Sequence, residues 1–174
     1  MAPYVAFEPG VEINGQTILA TIDGLGDVAR AAFQQRGVAA IDPDGWYPQQ
    51  MWLDVLQELD QSGAENLVSV GMKIPEHAIF PPEINSLHSA LASIDVAYHM
   101  NHRGGEIGHY HYEKVGDNHA RLVCDNPFPS DFDYGIIYAM TRRYAEQGMD
   151  FKVVRAESPC RHNRDDYCIY EVTW

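Results

Sequence analysis

The sequence predicts an α+β fold, in which N-terminal helices precede a strand-strand-helix-strand-strand unit that forms an antiparallel sheet. Two observations support this prediction. Apolar residues recur at helical spacing in the first hundred residues, most clearly over residues 48–61. From residue 107 onward the apolar period falls to two, which is typical of half-buried strands. Short loops join these strand-like runs, so neighbouring strands are expected to pair antiparallel.

The first hundred residues contain signals for one hairpin and four helices. The hairpin signal is Asn14-Gly15, a dipeptide that favours a two-residue turn between strands. Gly37 and Gly63 mark the ends of two helices, and Pro75 is expected to break a third. The four helices are predicted, in chain order, at residues 29–35, 48–61, 66–72 and 84–100.

The remaining residues predict the sheet. Residues 107–115 and 120–124 alternate around Gly116-Asp117-Asn118, which is a hairpin signature. A helix is expected from Ser130 or Asp131 to residue 147, and strands at 151–156 and 167–173. We expect a single domain over 1–174, with a hairpin and helical region at 1–84 and a ligand-binding and metal-binding region at 85–174.

Composition narrows the function classes. The 174 residues include 25 acidic and 12 basic side chains, for a net charge of -13. Such a chain repels nucleic acids and anionic membrane surfaces, so neither is expected as a partner. The chain shows no secretory signal and no apolar run of membrane-spanning length, which predicts a soluble cytoplasmic protein. No P-loop, dinucleotide fingerprint or Ser-His-Asp order is visible, so no catalytic residue is assigned.

The three cysteines fall in the predicted sheet unit. An odd number of cysteines in a reducing compartment argues against a disulfide framework. Pairing of the last two strands would bring Glu157, Cys160 and Cys168 together, and Cys124 would join them if its strand is adjacent. Thiolates and a carboxylate suit a tetrahedral Zn²⁺, and four protein ligands would make that site structural. The alternatives are three separately buried cysteines, or a site completed by His162 instead of Cys124.

These residues also resemble a known family. The resemblance covers roughly residues 85–174, and the family is the 4-vinyl reductase, or hydrocarbon-binding, domain family. The residues that carry it are Asn126-Pro-Phe-Pro-Ser130, Gly135, Glu157-Ser-Pro-Cys160 and Asp166-Tyr-Cys168-Ile-Tyr-Glu-Val-Thr-Trp174.

The family includes the effector-sensing domains of bacterial regulators that respond to phenols. In those domains an upstream cysteine and a Glu-x2-Cys-x7-Cys motif hold a structural zinc, and this sequence has the same spacing from Glu157 to Cys168. The resemblance therefore implies that Cys124, Glu157, Cys160 and Cys168 bind zinc. It also implies a pocket for a hydrophobic or aromatic ligand, and a homodimer.

The predicted fourth helix carries candidate ligand-binding residues. Helical spacing places His88, Tyr98 and His102 on roughly one face, beside an apolar stripe, as a small aromatic ligand would require. The alternative is a core-facing stripe whose polar edge is satisfied within the chain, with Asp95 paired to His99. Haem coordination by a histidine of this helix is a further alternative, although no haem attachment motif is present.

A second histidine pattern lies on a predicted strand. His109 and His111 share one strand face, and with Glu113 they suggest a cupin-like metal triad. The carboxylate spacing is too tight for that triad, so a solvated strand face is the favoured interpretation.

The leading hypothesis is a sensory module that binds a small hydrophobic or aromatic ligand and is braced by zinc. One alternative is a carrier or processing protein for a tetrapyrrole, either haem or a chlorophyll precursor. Another is a structural protein-interaction domain. No ATPase or DNA-binding segment is visible, so a signal is expected to pass through a partner protein or a homodimer.

Overall fold

The computed structural model describes residues 3–63 and 66–174. Within these ranges it contains six helices and seven strands. The helices are α1 (Gly15–Leu25), α2 (Asp27–Gln35), α3 (Gln49–Ser62), α4 (Asn66–His77), α5 (Leu87–Met100) and α6 (Ser130–Tyr144). The strands are β1 (Glu12–Asn14), β2 (Trp46–Pro48), β3 (His102–Arg103), β4 (His109–Gly116), β5 (His119–Asp125), β6 (Lys152–Arg155) and β7 (Cys168–Thr173).

The strands form two antiparallel sheets, which confirms the predicted α+β class. The larger sheet has the order β4-β5-β7-β6 and the smaller one β2-β1-β3. In the larger sheet Cys124 of β5 lies opposite Cys168 of β7. The predicted unit of two strands, one helix and two strands therefore closes as the sequence pattern indicates.

The predicted hairpin at Asn14-Gly15 is wrong. Asn14 is instead the N-cap of α1, because its side-chain oxygen accepts a hydrogen bond from the Thr17 N–H at 2.9 Å. A Cβ atom on Gly15 would lie 1.9 Å from the Asp42 carbonyl oxygen, so the glycine here permits close packing. The strand before this turn pairs with β2 and β3, which are distant in sequence.

Several helix boundaries also differ from the prediction, most clearly those of α4 and α6. Helix α4 continues through Pro75 to His77 and does not stop before the proline. The carbonyl of Pro75 accepts a hydrogen bond from Arg143 of α6 at 2.8 Å, which ties this turn to the neighbouring helix. Helix α6 ends at Tyr144, earlier than the glycine at 148 indicates.

The hydrophobic core lies between the helices and one face of the larger sheet. Alternate residues of β5 and β7 are buried, and so are the apolar residues of α6. Trp52 of α3 packs edge-on against Phe128 and Phe132, at centroid distances of 5.3 and 5.5 Å. Its indole N–H donates to the Thr21 hydroxyl at 2.8 Å. Within the described ranges, no helix is long and apolar enough to cross a membrane.

Helices α4 and α6 cross at two glycines. A Cβ on Gly71 would lie 2.2 Å from the Phe132 carbonyl oxygen, and one on Gly135 would lie 2.4 Å from that of Val68. The two backbones therefore touch, and this crossing sets the position of α6 above the sheet.

We predict that Gly135→Ala lowers the free energy of unfolding by about 2 kcal/mol, because forced overpacking outweighs the gain in helix propensity. Urea unfolding measures the change. The matched control is Gly116→Ala, where the nearest atom to the new methyl group is a His119 side-chain carbon at 3.8 Å. Equal stability of the two variants would contradict the close contact.

Candidate functional site

A small apolar cavity lies where the helices meet the larger sheet. Its wall comes mainly from α4, α5, α6 and β4, and it includes Tyr98, His102, Tyr110, Phe128 and Phe132. The free volume is about 40 Å³, which is room for a few water molecules at most. No Lys, Arg, Asp or Glu is among the lining residues.

His102 carries an unpaired polar atom in this wall. The residue follows α5 and is 9% exposed. Its Nδ1 lies 2.8 Å from the carbonyl oxygen of Tyr98, one helical turn earlier. Its Nε2 is buried and has no hydrogen-bond partner within the described part of the chain. Buried polar atoms without partners are rare, and each one requires an explanation.

The protonation state of His102 follows from these contacts. Burial lowers the pKa of His102 from its ordinary 6.5 to about 4, so the imidazole is neutral at pH 7. A carbonyl oxygen only accepts hydrogen bonds, so Nδ1 must carry the single proton. Nε2 therefore holds a free lone pair, which is the form in which histidine binds metals.

Two tyrosines of the wall are fixed by hydrogen bonds. The Tyr98 hydroxyl donates to the carbonyl oxygen of Ile107 at 2.5 Å, and the Tyr110 hydroxyl donates to Oδ1 of Asp133 at 2.6 Å. Burial raises the pKa of both phenols well above 10, so both remain protonated. Because both hydroxyls are already bonded, the two side chains contribute mainly ring carbons to the cavity.

A buried ion pair is joined to the cavity wall through the hydroxyl of Tyr110. Arg161 and Asp133 are both almost completely buried, and the Arg161 guanidinium donates to the Asp133 carboxylate. The same guanidinium donates to the carbonyl oxygens of Cys124 and of Phe128, the latter at 2.9 Å. Burial opposes charge on Arg161 and is the largest single influence, but the Asp133 carboxylate and the neighbouring Cys168, Cys124 and Tyr170 together outweigh it and raise the pKa of Arg161.

We predict that Asp133→Asn lowers the free energy of unfolding by about 3–5 kcal/mol, because it leaves the buried Arg161 without a counter-charge. Asp131→Asn is the matched control on the same helix. Its partner Arg155 is about a third exposed, so the expected loss is at most about 1 kcal/mol. Denaturant unfolding at pH 7 compares the two, and a similar loss in both variants would refute the central role of the buried pair.

The four predicted metal ligands do not assemble as a set. All three cysteines are buried, and the Sγ atoms of Cys160 and Cys168 lie 3.6 Å apart. Glu157 is exposed and does not join them, and the His162 side chain, the alternative ligand, lies outside the described residues. Burial raises the pKa of Cys168 to about 12 and that of Cys124 well above its ordinary value, so both are neutral thiols.

The structure separates the three predicted ligand-binding residues. Tyr98 and His102 both line the cavity. His88 lies outside it, at the other end of α5, where its ring nitrogens contact the Tyr112 hydroxyl at 2.6 Å and the Asp117 carbonyl at 2.8 Å. Helical periodicity identifies a shared face, but the face is longer than the cavity.

Sequence reasoning did not identify the aromatic wall or the ion pair. Phe128 lies in the segment that carries the family resemblance, and no role in a cavity or an ion pair was predicted for Phe132, Asp133 or Arg161. The signal that could have found the pair is an arginine and an aspartate in otherwise apolar surroundings. Such residues are rarely buried unless they are paired.

No protein-family model matches the chain, and no curated protein does. Solved structures do match. The crystal structure of an H-NOX (haem nitric oxide/oxygen-binding) protein from S. oneidensis in the Fe(II)NO ligation state has a TM-score of 0.68 and 12% identity, covering 92% of this chain and 98% of that one. The solution structure of the IWP-051-bound H-NOX from Shewanella woodyi in the Fe(II)CO ligation state has a TM-score of 0.57 and 19% identity, covering 91% and 90%.

A third matching structure belongs to work described as modulating haem redox potential through protein-induced porphyrin distortion. It has a TM-score of 0.63 and 14% identity, covering 92% of this chain and 97% of that one. At such identities these likenesses establish a shared fold and nothing finer. The chain has the fold of H-NOX domains.

Two predictions are corrected by this finding. The assignment to the 4-vinyl reductase family is wrong, because the matching structures are H-NOX domains. The predicted zinc cofactor, and the description of the chain as a zinc protein, are also wrong. The matching structures are described by their iron and haem, and the cysteines here are buried thiols without the expected carboxylate.

The pKa of His102 predicts how stability depends on pH. In the unfolded state the pKa of His102 has its ordinary value of 6.5, whereas in the folded state burial lowers this pKa to about 4. The contribution of the neutral His102 to the free energy of unfolding is therefore complete above pH 6.5 and is lost as the pH falls toward 4. Between pH 7 and pH 5 the loss is about 2 kcal/mol. In His102→Phe this part of the pH dependence should disappear, as urea unfolding at both pH values measures. An unchanged pH dependence would contradict a neutral, buried His102.

Proposed function

We propose that this protein is a haem-binding sensory domain in which His102 would supply the protein ligand of the iron. The observation that carries the proposal is the buried Nε2 of His102, which has a free lone pair and no partner in the described residues. Its other nitrogen donates to a backbone carbonyl, which is the arrangement typical of metal-binding histidines. Structures of the same fold are described by their iron and their haem, which supports haem iron as the group that this nitrogen would bind.

The wall of the cavity fits the faces of a porphyrin in its chemistry. It is lined by aromatic and aliphatic side chains, including Phe128, Phe132 and Ile136, and it carries no charged group. The ring of Tyr98 lies 4.6 Å from that of His102 and limits how the imidazole can rotate. These residues would hold the macrocycle by apolar contact and orient its ligand, and bound iron would supply an open coordination position for a diatomic gas. A change in the sensory domain would then pass to a partner protein or to a second copy of the chain.

A second candidate is favoured by the size of the cavity. Its free volume of about 40 Å³ is well below the roughly 300–1,000 Å³ typical of small-molecule sites, so a haem requires the helices to move apart. Among the described residues that line the wall, none is a cation that could pair with the haem propionates. A compact apolar or aromatic ligand, held beside His102 without iron, would need a smaller opening.

Haem titration of the purified protein distinguishes the two candidates. The first candidate predicts saturable binding of one haem per chain, with a Soret band of a histidine-ligated iron. His102→Gly should weaken binding at least tenfold, because the iron loses its protein ligand, and added imidazole should restore the band. His88→Ala is the control, since His88 lies outside the cavity.

Absence of saturable haem binding in the unaltered protein would contradict the first candidate. A His102→Gly variant whose haem spectrum equals that of the unaltered protein would also contradict it. A rise in melting temperature with phenols or fatty acids, in a protein that takes up no haem, would support the second candidate.

A further inference from the structure

A second group of potential metal ligands lies on the surface, between α5 and β4. Asp95 and His99 are one turn apart on α5, and His109 begins β4. One ligand atom from each of these three residues lies within 4.8 Å of the others, and no other such triad is found in the part of the chain that the structure describes. All three side chains retain access to solvent, at 33–42% exposure.

The carboxylate of Asp95 is held at the centre of this triad. Its Oδ1 accepts a hydrogen bond from the backbone N–H of Tyr110 at 2.8 Å. The Nδ1 of His109 lies 3.4 Å from the same oxygen, and the Nδ1 of His99 lies 3.7 Å from Oδ2. The carboxylate and both rings therefore already lie close together in the absence of any ion.

The imidazole of His99 is also oriented for coordination. Its Nδ1 lies 2.8 Å from the carbonyl oxygen of Asp95, so a neutral ring donates from Nδ1 and leaves the lone pair on Nε2. A backbone carbonyl that accepts from the second nitrogen is the usual support of a metal-binding histidine. The rings of His99 and His109 lie 4.9 Å apart, centroid to centroid.

The electrostatic surroundings favour a cation. Glu106 lies in the loop that leads to β4, and its carboxylate accepts the N–H of Gly108 at 2.8 Å. The N–H of Gly108 holds the pKa of Glu106 below its usual value, with a smaller contribution from His109 and His99, which places this negative charge near the triad. The net charge of -13 also attracts cations, at longer range.

We propose that Asp95, His99 and His109 bind a divalent first-row transition-metal ion. Two imidazole nitrogens, which are borderline ligands, together with one carboxylate oxygen suit first-row ions such as Ni²⁺ and Co²⁺, and water would complete the coordination. The site is distinct from the cavity and does not depend on the proposed function. It would fasten α5 to β4, which carry the cavity residues Tyr98 and Tyr110.

The chain offers a matched control on another surface. His77 and Asp23 also form a histidine-carboxylate pair, with Nε2 and Oδ2 3.1 Å apart. That pair lacks a second histidine, and the ammonium of Lys73 lies 3.3 Å from the same carboxylate oxygen, which repels a metal ion. His77→Ala therefore removes a histidine beside a carboxylate without touching the proposed site.

The test is isothermal titration of the tag-free, full-length protein with NiCl₂ at pH 7.5. We expect one saturable site per chain, and a higher melting temperature with Ni²⁺ than without it. His99→Ala and His109→Ala should each weaken binding at least tenfold, because each removes one of three ligands. His77→Ala and His102→Phe should bind Ni²⁺ as the unaltered protein does. Circular dichroism of each variant confirms that it is folded before titration.

Four results would overturn the proposal. The first is a folded, unaltered protein that shows no saturable Ni²⁺ binding. The second is tight binding that survives in both His99→Ala and His109→Ala. The third is a loss in His77→Ala as large as the loss in His109→Ala. Loss of binding in His102→Phe alone would assign the metal to the cavity and would likewise reject this surface site.

Discussion

The buried ion pair between Arg161 and Asp133 is the interaction on which the candidate site depends. It joins three parts of the chain, because the guanidinium also binds backbone carbonyls of β5 and of the segment before α6. Asp133 in turn accepts the hydroxyl of Tyr110, so one carboxylate fixes both the arginine and a cavity residue. Burial of two charges is costly, and it is tolerated here because nearly every donor and acceptor has a partner.

The apolar environment of His102 is a consequence of that arrangement. The ion pair and the hydrogen bonds of Tyr98 and Tyr110 satisfy the polar groups of these side chains, so the two tyrosines present mainly their rings to the cavity. An imidazole in such surroundings loses the solvation of its charged form and stays neutral. The hydrogen bond to the Tyr98 carbonyl then decides which nitrogen keeps the lone pair. A neutral, oriented ligand atom is thus produced by packing, without a charged partner.

Periodicity was sufficient for the order of the elements from α2 to α5 and from β4 to β7, but it missed α1, the smaller sheet and the chemistry of the site. The change of apolar period near residue 107 predicts the larger sheet, and Ser86, Gly37 and Gly63 lie at helix ends as their chemistry requires. The hairpin predicted at Asn14-Gly15 is wrong because the same dipeptide can begin a helix, with Asn14 as its N-cap, as well as form a hairpin turn. The Glu-x2-Cys-x7-Cys spacing misled because spacing does not say whether a side chain is buried, and Glu157 is exposed. Arg161 and Asp133 are 28 residues apart, so their pairing exists only in the folded chain.

His102 presents an unprotonated Nε2 in an apolar cavity. Long-range ¹H–¹⁵N correlation spectra of the histidine-labelled, ligand-free protein, assigned with His102→Phe, measure this protonation state. We expect Nδ1 to carry the proton, Nε2 to give the resonance of an unprotonated nitrogen, and both to stay unchanged from pH 7.5 to pH 5.5. A proton on Nε2, or titration of the His102 ring near its ordinary pKa of 6.5, would contradict this expectation.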